Sequence, residues 1–222
     1  MRKTAMWTAA VCLAVLLLVA AAGYLYLLRN GVLSRVDNLD RVAIVFSSHG
    51  GDGAQIAQVI ALVTEDGHAI EFVDPATRVT VPGTSFSHLR DAYPFGGAAA
   101  VAQLLAPRAG GRVAWVDVPE GRWVALLQAG PSVQVTLTAR MDVFDGNRLA
   151  SFPAGGSTVS ARDVPLLLIG AERLPAAQRD GVRSAVASAS LQALAGLRPA
   201  EAASDLSPRA LARLLKVVAE RR

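Results

Sequence analysis

Arg78, His88 and Arg90 follow one another in a turn-rich stretch, and Arg179 and Arg183 sit four positions apart. That spacing is one turn of helix, so both side chains could face one phosphate group. Guanidinium forks grip phosphate bidentately, and the set therefore reads as an anion site. The plainer alternative is scattered surface arginines and a solvated helix face. A second cluster, Ser47–Gly53 (SSHGGDG), follows an apolar run. It reads either as a phosphate-cradling or oxyanion loop with a Ser-His pair, or as an ordinary glycine loop. It is neither Gly-x-Ser-x-Gly nor a Walker loop, and adjacent Ser and His rarely face each other. His49, His68 and His88 lack metal-ligand spacing, and Cys12, the one cysteine, lies in an apolar run. No zinc site is therefore expected, and there is no disulfide framework.

The elements that must position these residues begin with Ile70–Gly83, IEFVDPATRVTVPG. Its alternation predicts a central strand over Ile70–Val73 that opens at Asp74-Pro75 into a polar loop and resumes at Val79–Val81. Val42–Phe46 and Gln55–Thr64 read as buried strands, and Glu65-Asp66-Gly67 as a hairpin turn. Gly96-Gly97 opens a helix over Ala98–Leu105 that ends before Pro107. A strand over Arg112–Val118 and a helix over Trp123–Gln128 follow, with Asp117 as a candidate cap for that helix. Trp115 and Trp123 read as core. Val133–Ala139 alternates as a strand, and Asp142–Ser160 reads as a long turn-rich loop. Arg162–Ile169 stays ambiguous because of Pro165. Pro175–Leu194 is an alanine-rich helix. Ser207-Pro208 starts a last helix whose Leu211, Leu214, Leu215 and Val218 share one face. That face is expected on the helix's own domain, the alternative being an anionic lipid surface. Strands interleaved with helices make the fold α/β, an α+β-type sandwich with a central mixed sheet flanked by helices.

Thr4–Leu28 carries no charge, and Trp7–Leu28 is long enough to span a bilayer. Arg2 and Lys3 precede it, which places the N-terminus in the cytoplasm and the rest outside. A cleaved signal peptide, with Ala20–Ala22 as its cleavage site, is the rival. The apolar run continues past that site through Leu28, with Tyr24 and Tyr26 at the interface, which favours a retained anchor. The expected organisation is a cytoplasmic N-terminus (1–6), an anchor (7–28), a linker (29–40), a domain (41–198), and a connector with an amphipathic helix (199–222). Of the 22 Lys and Arg, Arg2 and Lys3 precede the anchor, which leaves 20 against 18 Asp and Glu beyond it. That balance gives no reason to expect a nucleic-acid partner.

Several segments in this order resemble the extracytoplasmic LytR–CpsA–Psr (LCP) family. HLRDAYPFGGAAAVAQLL (His88–Leu105) is similar to the family's Lys-x-Asn-x-x-Tyr-x-x-Gly-Gly helix start, and VAWVDVPEGRWVALLQAG (Val113–Gly130) to its Val-Asp-Phe-x-Gly-Phe unit. FPAGGSTVSARDVPLLL (Phe152–Leu168) is similar to its Pro-Ala-Gly-x-x-x-Leu-x-Gly segment. The resemblance covers about Arg41–Arg198. It implies transfer of an anionic glycopolymer from a polyprenyl-pyrophosphate carrier to the cell wall, with an apolar lipid pocket, arginines and a divalent cation such as Mg²⁺. Residue by residue, much of that centre is missing. The family's Arg-Ser-Asp-Thr step falls near Gln55–Gln58, and its Pro-Arg-Asp-Thr loop on Asp74-Pro75-Ala76-Thr77. Asp117 is kept, Gln178 fits the Arg-x-x-Arg-Gln-Gln run, and Arg179 lies beside it. Each lost guanidinium–phosphate contact would cost about 1.5–3 kcal/mol.

The resulting expectation is an anchored cell-envelope protein with a degenerate LCP-like domain. It would bind a polyprenyl-linked lipid or a wall-synthesis partner without catalysis and without a resident cofactor. One alternative is an active transferase using Mg²⁺, its anion site rebuilt from Arg78, Arg90, Arg179 and Arg183. The other is a structural membrane protein with no ligand. The candidate ligand-binding set is Arg78, His88, Arg90, Asp117, Gln178, Arg179 and Arg183.

Overall fold

The computed structural model describes residues 41–64 and 68–220. The expected anchor Trp7–Leu28, the linker 29–40 and the turn Glu65-Asp66-Gly67 lie outside the described residues. Among the described residues no helix is long and apolar enough to cross a membrane.

The chain opens with β1 (Val42–His49), β2 (Gln55–Thr64) and β3 (Ala69–Val73), followed by a 3-10 segment, Leu89–Phe95, and helix α1 (Gly97–Ala109). Strand β4 (Ala114–Val118), helix α2 (Glu120–Ala129) and strand β5 (Val133–Leu137) come next. Three short strands follow: β6 (Met141–Phe144), β7 (Leu149–Phe152) and β8 (Gly155–Val159). Helices α3 (Val164–Ala171) and α4 (Ala176–Ala193) lead to β9 (Ala203–Ser204) and helix α5 (Pro208–Glu220). The central sheet has the order β3-β2-β1-β4-β9, and separate two-stranded pairs join β5 to β8 and β6 to β7. β1 runs parallel to β4 and antiparallel to β2, so the sheet is mixed.

Both faces of the sheet are covered. Ile44, Phe46, Val59 and Val116 pack into the layer of α2, α3, α4 and α5, while Val45, Ile60 and Leu62 pack against α1 and the 3-10 segment. Alternating burial on two covered faces leaves β1 and β2 apolar almost throughout, as in buried strands generally. The alternation changes phase at Gln58. Phe46 pairs with Val59 and Ser47 with Ala57, so Gln58 is the extra residue of a β-bulge.

Several expectations need correction. Ile70–Val73 is an edge strand, not a central one: among the described residues β3 pairs only with β2, and Glu71 and Phe72 are exposed. Val79–Val81 forms no strand, because Arg78 and His88 make only an isolated bridge. β1 runs on through Ser47 and Ser48 to His49, so the glycine loop begins later than expected. Helix α1 continues through Pro107, whose missing N–H removes one bond close to the helix end. Pro165 occupies the first turn of α3, where no N–H partner is needed, and so it initiates that helix.

Asp142–Ser160, expected to be a loop, contains most of β6, all of β7 and β8. Exposed Asp142, Phe144, Leu149 and Ser151 alternate with buried Val143, Ala150 and Phe152, so the apolar run is too diluted to read. Asp145 closes the β6–β7 turn by accepting from the N–H groups of Asn147 and Arg148, each at 2.9 Å, and Gly146 supplies φ 96°. The last helix does pack on its own domain, with Leu211, Leu214 and Val218 in the core. Ser207 Oγ accepts from Ala210 N–H at 3.2 Å and caps it.

Gly170 on α3 lies against β6. A Cβ there would meet Val143 and would stand 2.7 Å from Met141 Sδ. Gly170→Ala should therefore cost about 1–3 kcal/mol through overpacking, read as a lower urea midpoint.

Candidate functional site

The chain leaving β3 turns at once. Asp74 O accepts from Thr77 N–H at 2.9 Å, and Asp74 Oδ1 accepts from Ala76 N–H at 2.9 Å. This is an Asx-turn built around Pro75. The turn is then stitched to the following segment: Leu89 N–H donates to Thr77 O, and Arg90 N–H to Pro75 O, each at 2.9 Å. Those bonds carry Arg90 back to Asp74, across many residues of chain.

Helix α4 brings Arg183 to the same place. Its Nη1 donates to Asp74 Oδ1 and its Nη2 to Glu172 Oε1, both at 2.6 Å. Arg90 Nη1 lies 3.1 Å from the same Glu172 oxygen. Asp74, Arg183, Glu172 and Arg90 thus form an alternating chain, and Arg183 is its most enclosed member at 16% side-chain exposure. Two cavities flank it. One, about 380 Å³, is walled by Val59, Ile60, Phe72, Val73 and Ala187, with Asp74 and Arg183 also on its lining. The other, about 220 Å³, is lined by Arg90, Asp91, Glu172, Leu168 and Ile169 among others. Gln58 lines both.

The remaining candidates are placed elsewhere. Arg78 is exposed and touches the site only through its backbone bridge to His88. His88 Nδ1 lies 3.3 Å from Asp91 Oδ2. Arg179 lines neither cavity; it lies 3.8 Å from Asp180, and its Nε is buried without a hydrogen-bond partner. Gln178 donates to Thr138 Oγ1 and lines a different groove with Gln134 and Thr136. Of the arginines expected together, Arg90 and Arg183 meet and Arg78 and Arg179 do not join them.

Asp117 does not cap α2. That helix starts at Glu120 behind Pro119 with no side-chain cap. Instead Tyr93 Oη donates to the Asp117 carboxylate, at 2.9 and 3.0 Å to its two oxygens. Burial raises the Asp117 pKa. Burial first, and then the neighbouring carboxylate, push the Tyr93 hydroxyl up to about 12. The folded value exceeds the unfolded one, so this contribution is fully present below pH 10 and is lost as pH rises from 10 towards 12. We expect about 2–3 kcal/mol of alkaline destabilisation over that window, absent in Tyr93→Phe and measured by urea titration at stepped pH. Tyr93 was visible in the sequence only as one letter of the HLRDAYPFGG segment.

No family model matches the sequence, and no curated protein matches it either. Solved structures do resemble it. B. subtilis TagV superposes with a TM-score of 0.51 at 13% identity, over 82% of this chain and 80% of TagV. A Streptococcus agalactiae protein gives 0.56 at 12% identity, over 83% and 75%. TagT bound to LIIa-WTA gives 0.51 at 15% identity, over 81% and 75%. The fold is LCP-like.

Within this LCP-like fold the Ser47–Gly53 stretch holds no Ser-His pair. Ser47 and Ser48 are fully buried in β1, whereas His49 turns outward and places Nδ1 2.8 Å from Glu120 Oε2. The divalent cation that such folds imply has no fitting donor set. Asp74 Oδ1 and Glu172 Oε1 are already committed to guanidiniums. Among the described residues no three carboxylates or histidines converge as a metal cage.

Proposed function

We propose that this chain is an anchored cell-envelope protein whose LCP-like domain binds a polyprenyl-linked lipid without turning it over. The expected anchor Trp7–Leu28 holds it at the membrane with residues 29–222 outside. The supporting observation is the apolar groove beside β3 and α4, which ends at Arg183, a guanidinium already neutralised by Asp74 and Glu172, while Arg90 on the second cavity shares the same Glu172 oxygen. At about 380 Å³ it lies at the lower end of ligand-pocket sizes. A transferase needs guanidiniums free to take up charge as it develops on phosphate. Here both are engaged by carboxylates of the same chain.

The structural neighbours support the envelope setting, since one of them, TagT, was solved bound to LIIa-WTA. Arg90 and Arg183 meeting on one oxygen is the observation that favours the alternative, an active transferase. Full-length protein incubated with a polyprenyl-pyrophosphate glycan, a cell-wall acceptor and Mg²⁺ should release neither polyprenyl phosphate nor polyprenyl pyrophosphate. It should carry co-purified prenyl lipid, detected by mass spectrometry. Turnover lost in Arg183→Ala would overturn the non-catalytic reading, and a lipid-free preparation that takes up no prenyl compound would overturn the lipid reading.

A further inference from the structure

Gln58 is 9% exposed, and its Nε2 has no hydrogen-bond partner. Buried amides are normally satisfied, and an unmade bond there costs free energy. The bulge explains how Gln58 comes to this position. As the extra residue opposite Phe46 and Ser47, it leaves the regular alternation of β2 and lies in the wall common to both cavities. A side chain kept unsatisfied at the junction of two cavities is placed to bond what enters them.

The charges around it restrict what that is. Two guanidiniums, Arg90 and Arg183, line the cavities against five carboxylates, Asp52, Asp74, Asp91, Glu172 and Asp180. The lining is therefore acidic overall and disfavours a pyrophosphate, which brings several negative charges of its own. An ammonium suits the carboxylates but cannot accept a bond from the Gln58 amide. A hydroxyl satisfies both demands: it accepts from Gln58 and donates to a carboxylate. It also suits the amide turned either way, because it is donor and acceptor at once.

We propose that the two cavities sharing Gln58 select an uncharged prenyl alcohol, its chain among Val59, Ile60, Phe72 and Val73 and its hydroxyl on Gln58, in preference to the corresponding pyrophosphate. This rests on reading the groove as a prenyl-lipid site and names the head group that the site takes.

The test uses full-length protein in amphipol and three short probes: geraniol, geranylamine and geranyl pyrophosphate. Calorimetry should show geraniol binding saturably, with geranyl pyrophosphate at least tenfold weaker and geranylamine between them or weaker. In Gln58→Met, which keeps the side-chain volume, geraniol affinity should fall at least fivefold. Tighter binding of the pyrophosphate or of the amine than of geraniol overturns the head-group assignment and leaves the lipid reading standing. Unchanged geraniol affinity in Gln58→Met overturns the role of Gln58. Failure of all three probes to bind overturns the lipid reading, and this inference with it. The comparison among probes on the parent protein holds even if the variant does not fold.

Discussion

Trp123→Ala should remove about 3–5 kcal/mol of stability, the largest loss expected from any single substitution here. Trp123 is fully buried in the layer between the sheet and α4, with its ring centroid 5.6 Å from that of Phe46. Truncation deletes the largest buried side chain and leaves a cavity that β1 and α4, held by their own neighbours, cannot collapse into. It also removes a bond: Trp123 Nε1–H donates to Ser190 Oγ at 2.9 Å, and Ser190 in turn donates to Val186 O at 2.7 Å. Ser190 keeps its acceptor on α4, so the hydrogen-bond share of the loss is about 1 kcal/mol and the rest is packing. Against a typical domain stability of 5–15 kcal/mol, the variant should unfold at a much lower urea midpoint. Trp123→Phe separates the two parts by keeping most of the volume without the N–H, and should cost about 1–2 kcal/mol. Trp115, only partly buried, should tolerate truncation far better. A cost for Trp123→Ala below about 1.5 kcal/mol would mean that this layer is not closed as described.

The same contrast explains what the sequence disclosed. Long apolar segments declared themselves: β2 occupies Gln55–Thr64 as expected, and α4 nearly fills the expected Pro175–Leu194. Their signal is burial, and burial is written in residue type. The β6–β8 strands were hidden because each is short and presents only one or two side chains to the core, and apolar Phe144 and Leu149 point outward, which breaks the alternation that residue type would show. β3 was legible as a strand but not as an edge, since position in a sheet is set by partners far away in the chain. The site was half legible for a related reason. Arginine spacing flagged Arg90 and Arg183, but the carboxylates that neutralise them come from a turn and a helix end. In the sequence Asp74 is half of a strand-breaking Asp-Pro step, and Glu172 carries no motif. The resemblance places the family's Arg-Ser-Asp-Thr step near Gln55–Gln58, but it does not single out Gln58 itself, because a bulge is a register event between two strands that no local pattern announces.

Asp74→Asn combined with Glu172→Gln should raise affinity for a prenyl pyrophosphate at least tenfold, and this change decides between the two functional readings. In the parent, Glu172 Oε1 holds both Arg90 and Arg183, and Asp74 Oδ1 holds Arg183 a second time. Neutralising both acids frees Arg183, leaves Arg90 with only Asp91 at 3.7 Å, and leaves three carboxylates on the cavity linings instead of five. Each charged hydrogen bond to phosphate then contributes about 1.5–3 kcal/mol, and a tenfold gain requires only about 1.4 kcal/mol. The accompanying loss of stability should stay near 1–2 kcal/mol, because Asp74 and Glu172 are 55% and 35% exposed and such pairs are weak. Glu172→Gln alone should give part of the gain, since Asp74 still restrains Arg183. If instead the parent binds pyrophosphate tightly and the double variant loses it, the carboxylates serve the ligand rather than block it. The arginine pair would then be a rebuilt transfer centre. A gain in the double variant would mean that the guanidiniums remain competent for phosphate and are held off it by two side chains of the same fold.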